Sequence, residues 1–229
     1  MNFVNPFDIL NIHFMEIKYL GHSSFLIKSK TGRLITDPFD PEMLSLKFPK
    51  IEADIVTISH NHKDHNKSSL VEGDPLIINM PGEYEKNGIR VFGFKTFHDK
   101  EQGTQRGENI VYKIEADDIS LLHCGDLGHI LNDSLLDEIG EIDILFIPVG
   151  GAYTIDASEA EKIIKKIEPS IVIPMHYKSP KINQQNFNKL AEIDEFNKVM
   201  GVENPISQQK FTVKKEDLGE EVKVFVMEP

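Results

Sequence analysis

A single short run, Ser59-His60-Asn61-His62-Lys63-Asp64-His65, sets the strongest limit on what this chain can become. It follows the apolar stretch Ile55-Val56-Thr57-Ile58 directly, so a buried strand delivers three histidines and a carboxylate to one strand end. In extended backbone His60 and His62 project to the same side. A turn after them swings Asp64 and His65 toward the same point from a second angle. Imidazole and carboxylate donors converging on one spot are what a nitrogen/oxygen metal site needs. A solvated loop that happens to hold histidines explains the spacing poorly, because polar groups gathered beside a buried strand are costly without a partner or ligand.

Composition narrows the partners. Lys and Arg number 25 against 37 Asp and Glu, a formal net charge of −12. Such a chain lacks the electrostatic footprint of a general nucleic-acid binder. It also lacks the basic amphipathic face of a membrane-surface helix, and no apolar run approaches the roughly 18–20 residues of a membrane span. The expected partner is a small-molecule substrate, with no nucleic acid and no membrane; a homo-oligomer is compatible. One cysteine, Cys124, excludes an intrachain disulfide framework and a thiolate metal knot. It fits a reducing compartment, so a cytoplasmic location is expected. With 229 residues, 40% of them apolar, one large domain with a sizeable core is expected.

Residues 1–14 carry no basic n-region and no sustained apolar core, and read as an extension outside a single domain at 15–229 rather than a signal peptide. From Glu16 the pattern is short strands, then strands alternating with helices. Phe25–Lys28 and Leu34–Thr36 read as a hairpin pair. Ile77-Ile78, Arg90–Phe97, Ile110–Glu115, Ile119–His123, Ile142–Val149, Ile171–Pro174 and Val222–Met227 read as further strands. Ser158–Ile167 and Phe187–Met200 have helical spacing. This mixture predicts an α/β protein of two sheets packed face to face with helices outside.

The HxHxDH run after a hydrophobic strand resembles the metallo-β-lactamase superfamily, and further elements follow in that family's order. They are Thr36-Asp37-Pro38-Phe39, Phe97-His98-Asp99, His123-Cys124-Gly125-Asp126 and Pro174-Met175-His176-Tyr177. Gly21-His22-Ser23-Ser24-Phe25, with the Asp-Pro-Phe form of the early aspartate, is similar to the branch containing ascorbate-6-phosphate lactonase and many uncharacterised hydrolases. The resemblance implies a four-layer αββα sandwich of two mixed sheets with the site at one edge. It implies two divalent metal ions, zinc first, with manganese or iron as alternatives. His60, His62 and His98 would hold one ion, Asp64, His65 and His176 the other, and Asp126 would bridge. Asp64 and Asp126 are then candidates for catalysis, with the proton carrier left open between them and a nearby histidine. Asp37 would orient ligand histidines through hydrogen bonds. His22 and His129 are expected beside the site. His123 and Cys124 are expected to pack in the strand, and His13 to have no role.

The activity implied is metal-dependent hydrolysis of a small anionic ester, lactone or phosphoester. Two divalent cations outweigh two carboxylates, so the local field can favour an anion within an acidic protein. Alternatives are a nuclease or phosphodiesterase of the same fold and a mononuclear iron oxidoreductase. Two polar loops complete the expectation. Lys100–Gly107, which carries two glycines, should form a mobile rim from which Arg106 meets an anionic group by a forked hydrogen bond. Gly150–Thr154 should form a second rim that offers Tyr153 to substrate.

Overall fold

The short apolar runs sort into two sheets in the computed structural model, which describes residues 14–229. The first sheet contains β1 (Met15–Gly21), β2 (Ser24–Lys28), β3 (Arg33–Thr36), β4 (Ile55–Thr57) and β5 (Leu76–Ile78), side by side in that order. The second begins with β6 (Gly82–Lys86), β7 (Ile89–Phe97), β8 (Glu108–Ala116) and β9 (Ile119–His123), an antiparallel meander. It continues in parallel through β10 (Ile144–Pro148) and β11 (Ile171–Met175). After β12 (Ile206–Gln208), β13 (Lys210–Val213) crosses back to pair with β1, and β14 (Lys223–Met227) lies between β11 and β12. Both sheets are therefore mixed, as the sequence predicts.

Strand residues that alternate inward form the shared core. Met15, Ile17, Phe25, Ile27 and Ile55 of the first sheet meet Val91, Tyr112, Ile114, Leu121 and Phe146 of the second in one cluster. Strands β10 and β11 are buried along their whole length, which explains their unbroken apolar sequence. Helix α3 (Ala157–Ile167), after the short α1 (Pro41–Leu44) and α2 (Asp133–Ile139), packs Ala160, Ile163 and Ile164 inward. A capping box of Asp156 and Glu159 fixes its start, within one residue of the sequence reading.

The sequence and the structure differ at several points. The helix expected over 187–200 is shorter, with α4 spanning only Ile193–Met200. Phe187 and Leu190 leave the helical pattern to cover the outer face of the first sheet beside Leu26, Ile35 and Val56. The single turn of α1 and loop residues such as Leu46, Phe48 and Ile182 cover the rest of that face, so its helical layer is thin. Strand β6 carries no apolar run to signal it, because Gly-Glu-Tyr-Glu-Lys is polar, as an exposed edge strand requires. The proposed extension at 1–14 lies, except for Phe14, outside the described residues; Phe14 itself is exposed. Among the described residues no helix is long and apolar enough to cross a membrane.

Candidate metal centre

The ends of six strands open onto one edge of the sandwich. From the first sheet come His22 after β1, Asp37 after β3, and Ser59–His65 after β4. From the second come His98 after β7, Asp126 after β9 and His176 after β11. His22, Asp37 and His176 all adopt left-handed backbone, with φ of 59°, 38° and 52°. Such angles disfavour side-chain-bearing residues and gather at functional sites.

All seven candidate ligands come together. His60 Nε2 lies 2.9 Å from His62 Nδ1, and the two rings group with His98. Asp64, His65 and His176 form a second group that also includes His22. Asp126 stands between the groups. Its Oδ2 lies 3.3 Å from His98 Nε2, 3.2 Å from His176 Nε2 and 3.8 Å from His60 Nε2, and its Oδ1 lies 3.3 Å from His65 Nε2. His62 is the exposed member; His60, Asp64, His65, His98, Asp126 and His176 are buried.

Hydrogen bonds around the donors decide which lone pairs face inward. Asp37 is fully buried and accepts from Ser59 N at 2.7 Å, Ser59 Oγ at 2.6 Å and His65 Nδ1 at 2.9 Å. Because the Ser59 hydroxyl donates to Asp37, it accepts from His60 Nδ1–H, 3.0 Å away. One carboxylate thus orients two histidines, so that both turn Nε2 toward the cluster. His22 reaches Asp64 Oδ2 at 3.2 Å and lies against the His176 ring at 4.2 Å.

Electrostatics follow from burial and crowding. Burial, with His176 beside it, pulls His22 down to about 4. Burial and His65 pull His60 down to about 3, and burial also lowers His98. His65 goes the other way: burial opposes its charge, but the Asp126 and Asp64 carboxylates and the bond to Asp37 hold it protonated well above the ordinary range. Burial works against the charge of Asp126 too, yet His176 and His65 keep it ionised. Neutral imidazoles and ionised carboxylates are the forms that bind a cation, so a metal ion held here would displace the proton from His65 Nε2.

The donor set fits divalent ions. His65 Nε2 and Asp126 Oδ1 are buried without a hydrogen-bond partner although they lie 3.3 Å apart, so neither is directed at the other. Buried polar atoms left so are costly unless something else meets them.

The remaining candidates divide. His129 is not in the cluster: its Nδ1 donates to Ile130 O in its own loop, and its Nε2 accepts from Phe97 N at 3.2 Å, bracing the strand end that precedes His98. His123 donates to Ser23 O at 2.8 Å across the two sheets, and Cys124 is buried in the core. Arg106 and Tyr153 line a cleft of about 850 Å³ over the cluster, with Asp40, Met43 and Phe187. Sequence reasoning missed Ser59 and Asn109. Asn109 is fully buried and accepts Asp126 N through Oδ1 at 2.9 Å. Gly125, at φ 54°, lets that loop pass Ser59; a Cβ there would stand 2.4 Å from the Ser59 Cβ. A serine before HxHxDH and an asparagine opening a strand carry no spacing signal of their own.

Known proteins resemble the chain over most of its length. A metal-dependent hydrolase of the UPF0173 group from Thermococcus onnurineus is 29% identical over 216 residues, covering 82% of this chain and 92% of its own. A crystal structure from Thermotoga maritima, described as a candidate zinc-dependent hydrolase of the metallo-β-lactamase superfamily, superposes with a TM-score of 0.77 at 36% identity, covering 93% of this chain and 98% of its own. Igni18, a metallo hydrolase from Ignicoccus hospitalis, gives a TM-score of 0.64 at 21% identity over 94% of this chain and 96% of its own, and speaks for the fold alone. The family model for the β-lactamase superfamily domain matches residues 16–176, from the first strand to the last candidate histidine, and the chain belongs to that family.

Proposed function

We propose that the chain is a metal-dependent hydrolase with a two-ion centre, zinc foremost, acting on a small anionic ester, lactone or phosphoester. The observation that carries this reading is the gathering of His60, His62, Asp64, His65, His98 and His176 around Asp126, with buried donor atoms that lack partners of their own. His60, His62 and His98 would hold one ion; Asp64, His65 and His176 the other; Asp126 would be shared. Divalent ions in such a site lower the pKa of water from about 15.7 toward neutrality and stabilise charge developing on an acyl or phosphoryl oxygen.

This chain's own residues supply the rest. Asp37 fixes the tautomers of His65 and, through Ser59, of His60. His22 holds one oxygen of Asp64 and leaves the other free to bind. Met43, Phe187 and Tyr153 give the cleft an apolar wall that limits water, while Arg106 offers a cation to an anionic group. A cleft of about 850 Å³ suits a small molecule, and the mixed charges of Asp40, Glu42, Lys63 and Arg106 do not form the continuous basic track of a nuclease. The reading takes residues 15–229 as one domain and, from the single buried cysteine, a cytoplasmic location.

The test is elemental analysis of protein purified without chelator, followed by a phosphodiesterase, lactonase and esterase panel. About two equivalents of zinc or manganese and turnover abolished by chelator support the reading. One iron per chain with redox activity and no hydrolysis would replace it with the iron oxidoreductase alternative.

A further inference from the structure

The loop between β7 and β8 is built around one carboxylate. Asp99, buried beside His98, accepts four backbone N–H groups: Glu101 at 2.8 Å and Gly103 at 2.9 Å on Oδ1, and Gln105 at 3.0 Å and Arg106 at 2.7 Å on Oδ2. Gly107 N bonds back to Gly103 O at 2.9 Å, and His98 N to Gly107 O at 3.0 Å, so the loop closes on its own base. Gly128 locks that base against the neighbouring loop: a Cβ there would lie 2.3 Å from both His98 C and Asp99 N. Lys100 ties the outer side to Glu159 of α3 at 2.6 Å. This is a braced loop where the sequence suggests a mobile rim.

What the bracing holds in place is Arg106. Its guanidinium lies 5.4 Å from the centre of the Tyr153 ring, and one nitrogen reaches Ala152 O at 3.5 Å. Among the described residues no carboxylate pairs with it, whereas Asp40 in the same cleft is paired with Lys67 at 2.8 Å. A planar cation stacked on an aromatic ring, held from its own backbone N–H, and left without a counter-ion is arranged to receive an oxyanion.

We propose that Asp99 is a positioning residue: by folding Lys100–Gly107 it sets Arg106 on Tyr153 as an oxyanion subsite, distinct from the metal donors, for a carboxylate or phosphate carried by the substrate away from the bond that is cut. The proposal rests on the hydrolase reading for its substrate and on the loop geometry for its positioning device. Binding energy from such a remote group orients the reacting centre, so losing its placement weakens substrate binding first.

The test uses the metal-loaded full chain with Asp99→Asn, and Asp99→Ser as a second variant that keeps one acceptor. Cleavage by trypsin after Lys100 and Arg106 is followed by mass spectrometry, with metal content measured in parallel. The expected result is cleavage about tenfold faster in the variants with metal content unchanged. Equal cleavage rates in wild type and both variants would overturn the positioning role. Kinetics on two esters then probe the subsite: neutral p-nitrophenyl acetate and mono-p-nitrophenyl succinate, which carries a remote carboxylate. Asp99→Asn and Arg106→Ala should each raise KM for the succinate ester about tenfold with kcat within about twofold, and leave KM for the acetate unchanged. Equal KM increases on both esters would overturn the subsite. Failure of the wild type to cleave either ester would count against the hydrolase reading for this chemistry, and the trypsin rates alone would then decide for or against Asp99.

Discussion

Replacing Asp37 tests the support of the metal centre more directly than replacing any ligand. In Asp37→Ala, Ser59 N–H and His65 Nδ1–H lose their acceptor inside a site where Asp37 and His65 have no exposure. A buried donor left unpaired costs about 1–3 kcal/mol. Alanine at φ 38° adds about 1 kcal/mol that aspartate or asparagine, which tolerate left-handed backbone, largely avoids. The expected loss is about 5 kcal/mol, or about 10–20 °C in Tm for a chain of this size. Asp37→Asn keeps one carbonyl oxygen and the backbone preference, but turns an amide N–H toward at least one donor, so about 1–3 kcal/mol is expected. The ligands should suffer as well. With Asp37 gone, the Ser59 hydroxyl is free to donate to His60 Nδ1, which shifts the His60 proton onto Nε2 and toward the cluster. A 10–100-fold loss of metal affinity is of the order seen when such supporting groups are removed. Thermal unfolding by circular dichroism should be run on chelator-treated protein, so that stability is not confused with metal binding. An apo Tm for Asp37→Ala within about 3 °C of wild type would refute the accounting of unpaired donors. Unchanged metal affinity in both variants would refute the orienting role.

The other predictions concern the bridge, the seam between the sheets and the lone thiol. Asp126→Asn keeps shape but loses the charge shared between the two groups of donors, so it should lower occupancy of both sites and abolish hydrolysis, whereas His176→Ala should empty chiefly one; metal stoichiometry after identical dialysis separates them, and two ions with normal turnover in Asp126→Asn would end the bridge assignment. Tyr112, fully buried, directs its hydroxyl to Ile58 O at 2.9 Å and Ile78 O at 3.1 Å, so Tyr112→Phe should cost about 1 kcal/mol with little change in metal content; denaturant unfolding measures it, and an unchanged midpoint refutes it. Cys124 is fully buried and burial pushes its thiol far up, so in native buffer it should react with a thiol reagent only through unfolding; rapid labelling of the folded protein would contradict its place in the core.

The legible part of this protein is the part whose spacing is local. His60, His62, Asp64 and His65 lie within one turn of chain, so their convergence follows from strand and turn geometry alone. The long apolar strands were legible for the same reason, since burial on both faces leaves an unbroken run such as Ile144–Pro148. His98, Asp126 and His176 are each one histidine or aspartate at a strand end, and only their order beside the HxHxDH run made them stand out. Tertiary context alone selects Ser59, Asn109 and Asp99, because a serine, an asparagine or an aspartate in a loop looks the same whether it bonds water or holds four amides. The same limit explains Phe187. Its helical spacing toward Met200 is real, but a gap over the first sheet beside His22 claims the ring instead.

The apolar contact between two sheets is non-directional, and by itself it fixes neither their angle nor their offset. A site that takes His22, Asp37 and the His60–His65 run from one sheet, and His98, Asp126 and His176 from the other, needs that offset held closely. The hydrogen bonds that cross the seam do this. Ile110 N donates to Ser59 O at 2.9 Å, His176 N to His22 O at 3.1 Å, His123 Nε2 to Ser23 O at 2.8 Å, and the Tyr112 hydroxyl to Ile58 O. Each joins buried residues, and each ends on His22, on Ser59 or on the residue beside one of them. A hydrogen bond of this kind contributes only about 0.5–1.5 kcal/mol net, but leaving one unmade costs more, so a slip between the sheets is penalised at every bond together. Bonds between the sheets at the far edge, such as Lys30 N to Asp117 Oδ2 at 2.9 Å and Asn87 Nδ2 to Asp54 Oδ1 at 2.8 Å, are exposed, so it is at the edge where the donors meet that a slip would leave buried groups unpaired.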